Sequence, residues 1–261
     1  MRRYLGWALA SAVFFGFIGL NGALAADMAV KARPPAAVVA AVYDWSGIYI
    51  GGAAGGEWDT TNGNFYNAPG FLWHTDSKSR AIYGGFAGIQ KQWGNFVLGI
   101  EGGWNGLDNN FSSTIAGGLG APCGFVAVIE SCQSRIRDIG YIGGRVGYAW
   151  DRWMVYGQGG YAQAKIDTQG IFNATGVPFS AAGATHGGWY AGVGGEYAVL
   201  DYLILGIDYK HYEFDSKQHN CDAACFAGPV DNRNVSAKAD AVMGRVSFKF
   251  NPWPAAVVAK Y

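Results

Sequence analysis

The feature that most restricts the fold is the alternation of connection lengths along the chain. Eight amphipathic runs are joined, in strict succession, by tight turns and by long polar stretches. The tight turns fall at Trp93-Gly94-Asn95, at Asp151-Arg152 and around Leu200-Asp201, whereas the stretches near 58–79, 107–134, 166–185 and 215–237 are rich in Gly, Asn, Ser and Asp. Short turns at one end and long loops at the other are the connectivity of an up-and-down barrel in an outer membrane, short turns toward the periplasm and long loops outside.

Side-chain alternation supports the same reading. Successive residues of a strand face opposite sides of the sheet, so a membrane barrel places apolar residues on alternate positions toward lipid and small or polar ones inward. Leu203, Leu205, Ile207 and Tyr209 fall on one face, with Ile204, Gly206, Asp208 and Lys210 on the other. Phe96, Leu98, Ile100 and Trp104 alternate with Val97, Gly99, Glu101 and Gly103, and Trp189, Val193 and Tyr197 with Tyr190, Gly192, Gly194 and Glu196. Ile142, Val146, Tyr148 and Trp150 set Arg145 inward, and the outward row Val242, Val246, Phe248, Phe250 sets Arg245 and Lys249 inward. A soluble eight-stranded barrel would reverse this pattern, with apolar residues lining its interior. Trp93, Trp150, Trp153, Tyr148, Tyr197 and Tyr202 crowd beside the short turns, where an aromatic girdle meets lipid headgroups.

The ends of the chain fit export. Arg2 and Arg3 precede an apolar stretch from Leu5 to Leu20 and the small-x-small triplet Ala23-Leu24-Ala25, the pattern of a cleaved secretory signal peptide over residues 1–25. No later run reaches the ~18 apolar residues of a membrane helix. Residues 26–44, with Arg33-Pro34-Pro35, lack a period of two and read as a periplasmic leader; 45–250 reads as the barrel, and 251–261 as a short periplasmic tail. Asn251-Pro252-Trp253-Pro254 ends the last strand at Phe250, because proline cannot extend a ladder.

Composition removes several function classes. Nineteen acidic and nineteen basic residues, without a basic cluster past the signal, give no electrostatic footprint for nucleic acid. No Ser/His/Asp grouping of convergent spacing suggests catalysis, and no cofactor motif is present. The four cysteines, Cys123, Cys132, Cys221 and Cys225, fall in pairs within two polar stretches, so an oxidising compartment would join Cys123 to Cys132 and Cys221 to Cys225; four cysteines allow three connectivities. The alternative to disulfides, a zinc site, has only the loose Cys-x-x-x-Cys spacing of Cys221 and Cys225 with His219 as its near partner. The inward positions gather Glu101, Arg145, Glu196, Asp208, Lys210, Arg245 and Lys249. In an interior barely wide enough for side chains they predict a salt-bridged plug, the alternative being a charged, water-filled constriction. His74, His186, His211 and His219 all lie in or near the expected outer loops; His74 and His219, with aromatic neighbours, are the candidate ligand-binding pair.

The residues Tyr141 to Gly157, with Gly188 to Tyr197, resemble the small Gram-negative outer membrane β-barrel surface-antigen family. The opening Trp45-Ser46-Gly47-Ile48-Tyr49 and the closing Gly244 to Phe250 match the family's first and last strands, and the likeness covers nearly all of the mature chain. The resemblance implies an eight-stranded antiparallel barrel in the cell outer membrane, all-β and a meander, of a type described as porin-like, surface antigen or hemin-binding. It also implies outer membrane lipid, lipopolysaccharide and the barrel-assembly machinery as partners, with small solutes or host surface ligands as further ones. A monomer is the expected state and a trimer the alternative. The leading expectation is a structural and surface-interacting protein and not an enzyme; a narrow porin, or hemin or ligand binding by the loops, stands behind it.

Overall fold

The structure, a computed structural model, describes residues 42–66, 68–107, 112–115, 130–221 and 232–252. The residues read as signal peptide, most of those read as leader and tail, and Cys123 and Cys225 lie outside the described residues. Among the described residues nine strands follow one another: β1 Gly47–Phe65, β2 Ala68–Trp93, β3 Phe96–Leu107, β4 Ser112–Ile115, β5 Glu130–Trp150, β6 Trp153–Phe172, β7 Pro178–Ala198, β8 Leu203–His219 and β9 Arg233–Phe250. Every pairing is antiparallel, and β3 pairing with β5 closes the sheet into a ring. The short β4 pairs only with the outer part of β5, in line with β3, so the ring has eight positions.

The expected facing is realised. Leu205, Ile207, Phe96, Leu98, Ile100, Val193, Val246 and Phe248 are exposed on the outside, while their alternates Ile204, Asp208, Val97, Glu101, Glu196 and Arg245 are buried inside. Two aromatic rings bound the apolar band. Trp93, Trp150, Trp153 and Tyr202 form the lower one beside the tight turns, and Trp58, Tyr83, Trp104, Tyr161 and Trp189 the upper. The lower turns need the left-handed backbone at Gly94 (φ 60°) and at Asp151 (φ 52°), a conformation glycine and aspartate tolerate in two-residue hairpins.

The polar stretches depart from the sequence expectation. Residues 58–65 continue β1, β6 runs on to Phe172, β7 begins at Pro178, and β8 reaches His219, so most of what read as loop is strand. Only 66–67 separates β1 from β2, and 173–177 separates β6 from β7. The reason is physical: above the upper aromatic ring the outward face meets water, so apolar alternation stops while the hydrogen-bond ladder continues. Strands such as β7, with 21 residues, far exceed the ~9–11 that suffice to cross a bilayer.

Candidate functional site

Inside the apolar band, strands from all round the barrel send charged side chains to one place. Arg145 from β5 donates to Glu101 on β3 at 3.2 Å and to Glu196 on β7 at 2.7 Å. Arg245 from β9 reaches Glu101 at 2.6 Å and Asp208 at 2.7 Å, and approaches Glu196 at 3.5 Å. Lys210 pairs with Asp208 at 2.5 Å. Three acids thus meet three bases, with side chains at most 3 % exposed. Two arginines bridge acids on different strands, which lets few cations neutralise several wall segments; a bidentate fork suits this where lysine would not.

Three tyrosines complete the network. Tyr49 Oη donates to Glu101 Oε2 at 2.9 Å, Tyr141 Oη to Glu101 Oε1 at 3.0 Å, and Tyr156 Oη to Asp208 Oδ2 at 3.4 Å. The Arg145 guanidinium also stacks 3.8 Å over the Tyr156 ring. Each tyrosine sits directly opposite an inward glycine of the neighbouring strand: Tyr49 opposite Gly88, Tyr141 opposite Gly103, Tyr156 opposite Gly194. The ring lies flat across the space a side chain would fill; a Cβ on Gly88 or Gly194 would come within 2.5 Å of tyrosine atoms.

Below the network the chain's approach to β1 tucks beneath the barrel. Trp45 is fully buried among Val97, Ala149, Met154 and Ile204. Its indole N–H donates to Asp151 O at 2.9 Å, its backbone N–H to Gln92 Oε1 at 2.7 Å, and Gln90 Nε2 donates to its carbonyl at 2.7 Å. Tyr43 Oη donates to Asp201 O at 3.2 Å. One short strap therefore ties the ends of all three lower connections.

Above the network lie two further buried polar groups. Arg80 holds Asp59 at 2.7 Å with Glu57 at 3.6 Å. Nearer the exterior, Arg233 donates to Thr168 Oγ1 at 2.8 Å and Ser180 Oγ at 2.7 Å, while Thr168 and His186 both contact His219. All five of these residues are buried.

The profile of the family described as outer membrane protein beta-barrel domain matches residues 23–250. The chain belongs to this outer membrane β-barrel family. Family members are outer membrane proteins by name, and this barrel is accordingly a protein of the cell outer membrane. The barrel is similar to the 31 kDa outer-membrane immunogenic protein of Brucella melitensis, 28% identical over 88% of this chain and 93% of that one. It is also similar to a 22 kDa outer membrane protein of Rhizobium leguminosarum bv. viciae, 26% identical over 73% of this chain and 74% of that one. Among solved structures, the Escherichia coli outer membrane protease OmpT aligns at TM-score 0.48 with 9% identity, over 78% of this chain and 97% of that one. OprG of Pseudomonas aeruginosa aligns at 0.43 with 10% identity, over 80% and 98%.

Of the seven charges that this outer membrane barrel was expected to gather, the structure brings six together. Lys249 stands apart at the periplasmic mouth, donating to Asp44 O and lying 3.9 Å over the Tyr43 ring. The histidines distribute differently from the loop reading. His186 and His211 are strand residues of β7 and β8, and His74 belongs to β2, opposite Gly63. His219 is buried with both ring nitrogens engaged, by Thr168 and His186, which leaves no nitrogen open to a ligand in this arrangement. Cys132 and Cys221 are disulfide-bonded; the pairing expected for them involves Cys123 and Cys225, outside the described residues. Sequence reasoning noted Trp45 and the three tyrosines only as motif residues and missed their place in the site, along with the upper groups around Arg80 and Arg233. A tyrosine-opposite-glycine pattern could have found the tyrosines, but only once the register was known.

Proposed function

We propose that this outer membrane barrel is a structural and surface-interacting protein whose lumen is closed by its charged side chains. The observation that carries the reading is the network around Arg145 and Arg245: six balanced charges, buried and bridging strands across the lumen. Charges in such a space are tolerated when paired and hydrogen-bonded, and removing one partner costs on the order of 3–5 kcal/mol. A channel would instead leave them hydrated and facing an open path. Trp45 beneath the network supports closure from the periplasmic side. With the lumen closed, interaction falls to the outer ends of the strands, and a surface role agrees with the Brucella relative's being an immunogenic outer-membrane protein by name.

A narrow solute path is the second reading, and one observation favours it. The Gln158 amide and the Tyr190 and Tyr212 hydroxyls are buried without a hydrogen-bond partner in the protein. Buried polar groups of this kind are ordinarily served by water.

Single-channel recording in planar lipid bilayers separates the two, using barrel verified by heat-sensitive gel mobility. Silence from inserted protein is the result expected of a closed lumen. Reproducible ion-selective steps, altered by Glu101→Gln, would overturn it in favour of the solute path.

A further inference from the structure

Above the upper aromatic ring, the outward face of β5, β6 and β7 holds a recess of about 480 Å³ lined by Arg135, Arg137, Lys165, Asp167, Gln169 and residues 181–185. A β-bulge builds it. Ile136 pairs with Ile166 and Asp138 with Lys165, so Arg137 has no partner in the register and is an inserted residue. Ile136 and Ile139 are both fully buried in the interior, which turns the two residues between them outward together. Bulges commonly re-aim side chains in this way. Here the effect is to set a second arginine beside Arg135.

Both arginines converge on one carboxylate, Arg135 at 3.0 Å and Arg137 at 2.6 Å from Asp167 Oδ2. Arg137 Nε is buried and has no hydrogen-bond partner. Lys165 stands two places from Asp167 on the same outward row, and Lys217 Nζ, held at 2.8 Å by Thr185 O, brings a fourth cation to the rim. Among the described residues the acids facing this group are Asp167, Asp138 and, beside Lys217 on β8, Asp215, so the cations are in excess by one.

Height decides what such a patch meets. Tyr161, in the upper aromatic ring, is four residues before Lys165 on β6. At a rise of ~3.3 Å per residue and a tilt of ~40°, that places the cations roughly 10 Å above the ring. They face sideways, at the level of lipid headgroups, directly over the exposed Tyr161 and Trp189.

We propose that this recess binds the phosphate groups of the outer-leaflet glycolipid, with the acyl chains lying against the aromatic and apolar band below. Arginine offers planar paired donors that fit phosphate oxygens, and lysine a compact point charge. The exposed part of the Arg137 guanidinium and the Lys165 ammonium are the contacts for the incoming oxygens, while Asp167 orients the two arginines. A soluble polyanion would use the charges alone; the membrane lipid uses them together with the apolar band, and the sideways aspect of the recess selects the lipid. The proposal rests on the outer membrane location and is independent of whether the lumen conducts.

The test uses the full mature barrel in detergent, with diphosphorylated lipid A, dephosphorylated lipid A and inorganic pyrophosphate as probes. Retained lipid is read by native mass spectrometry and stabilisation by the unfolding temperature. The diphosphorylated lipid should bind and raise the midpoint by mass action, and the Arg137→Glu/Lys165→Glu double variant should bind it at least about tenfold more weakly. If that variant does not fold, Lys165→Gln, which leaves the bulge intact, should still weaken binding by about threefold or more. Equal binding of dephosphorylated lipid, or unchanged binding by the variant that folds, would overturn the phosphate site. Protection by pyrophosphate equal to that by the lipid would overturn the membrane source.

Discussion

His186 Nε2 and His219 Nε2, on the neighbouring strands β7 and β8, lie 2.7 Å apart at the barrel's outer end, so one of the two nitrogens carries the proton that the other accepts. His186 Nδ1 faces the carbonyl of Asp215 at 2.9 Å, so it carries a proton and, in a neutral ring, Nε2 carries none. His219 then donates through Nε2, and its Nδ1 shares the Thr168 hydroxyl proton, at 3.0 Å, with Ala182 O at 3.2 Å, while the Thr168 oxygen accepts from Arg233 at 2.8 Å. With both rings neutral every ring nitrogen is engaged. One added proton can be shared by the pair, since His219 Nδ1 can then donate to Thr168 Oγ1, whose hydroxyl donates to Ala182 O at 3.2 Å; protons on both rings would set two N–H groups against each other beside a buried arginine.

This predicts an acid-sensitive outer end. These strand segments stand beyond the upper aromatic ring, and burial, with His186 and Arg233 nearby, pushes His219 down to about 3 despite the opposing Asp167. His186 is lowered too, by burial and Lys217 against Asp215. The folded form thus resists protons that the unfolded chain accepts below ~6.5, and stability falls with pH between those values, by up to about 1.4 kcal/mol per pH unit for each proton. Urea unfolding at pH 7 and pH 5 should show a larger loss for the wild type than for His219→Gln. Equal losses would show that the pair does not titrate with unfolding.

Arg145→Ala should destabilise the barrel by about 3–5 kcal/mol, because Glu196 then keeps only the 3.5 Å approach of Arg245. Arg145→Lys should recover part of this and not all, since one ammonium cannot bridge Glu101 and Glu196 as the guanidinium does. Urea midpoints for the two variants, measured in the same detergent, check the order.

Trp45→Ala should cost about 3–5 kcal/mol and detach the strap beneath the barrel. Faster chymotryptic cleavage at Tyr43 reports the detachment. Bilayers containing this variant should stay silent if the Arg145 and Arg245 network closes the lumen by itself.

Leu205→Arg puts a charge on the exposed lipid face, and the unfolding free energy should drop by ~2–4 kcal/mol. The neighbouring Ile204, buried within Trp45's cluster, tests the opposite face: Ile204→Ala should cost a comparable ~2–5 kcal/mol by leaving a cavity rather than by burying charge. An unchanged midpoint for Leu205→Arg would refute the facing.

Thiol labelling of unreduced, denatured protein should leave Cys132 and Cys221 unmodified. After reduction both should label, and loss of the outer-end relay before loss of the barrel would place the disulfides in support of the extended strands.

The sequence by itself determined the architecture of this barrel, its two faces and its lower turns. Each of these depends on local chemistry: alternation at period two, aromatic residues beside tight turns, and glycine or aspartate where φ must be positive. It also determined that Glu101, Arg145, Glu196, Asp208, Lys210 and Arg245 point inward, because facing follows from parity along a strand. Tertiary structure decided who meets whom. Glu101 and Arg245 are 144 residues apart in the chain and become neighbours only when eight strands close with a particular register. The same holds for Tyr49 over Gly88, for Trp45 under the ring, and for His186 against His219. The outer strand extensions were hidden for another reason: with water on their outward face, residues 166–172 and 178–185 lose the apolar signal, while the backbone ladder that holds them leaves no mark in hydropathy.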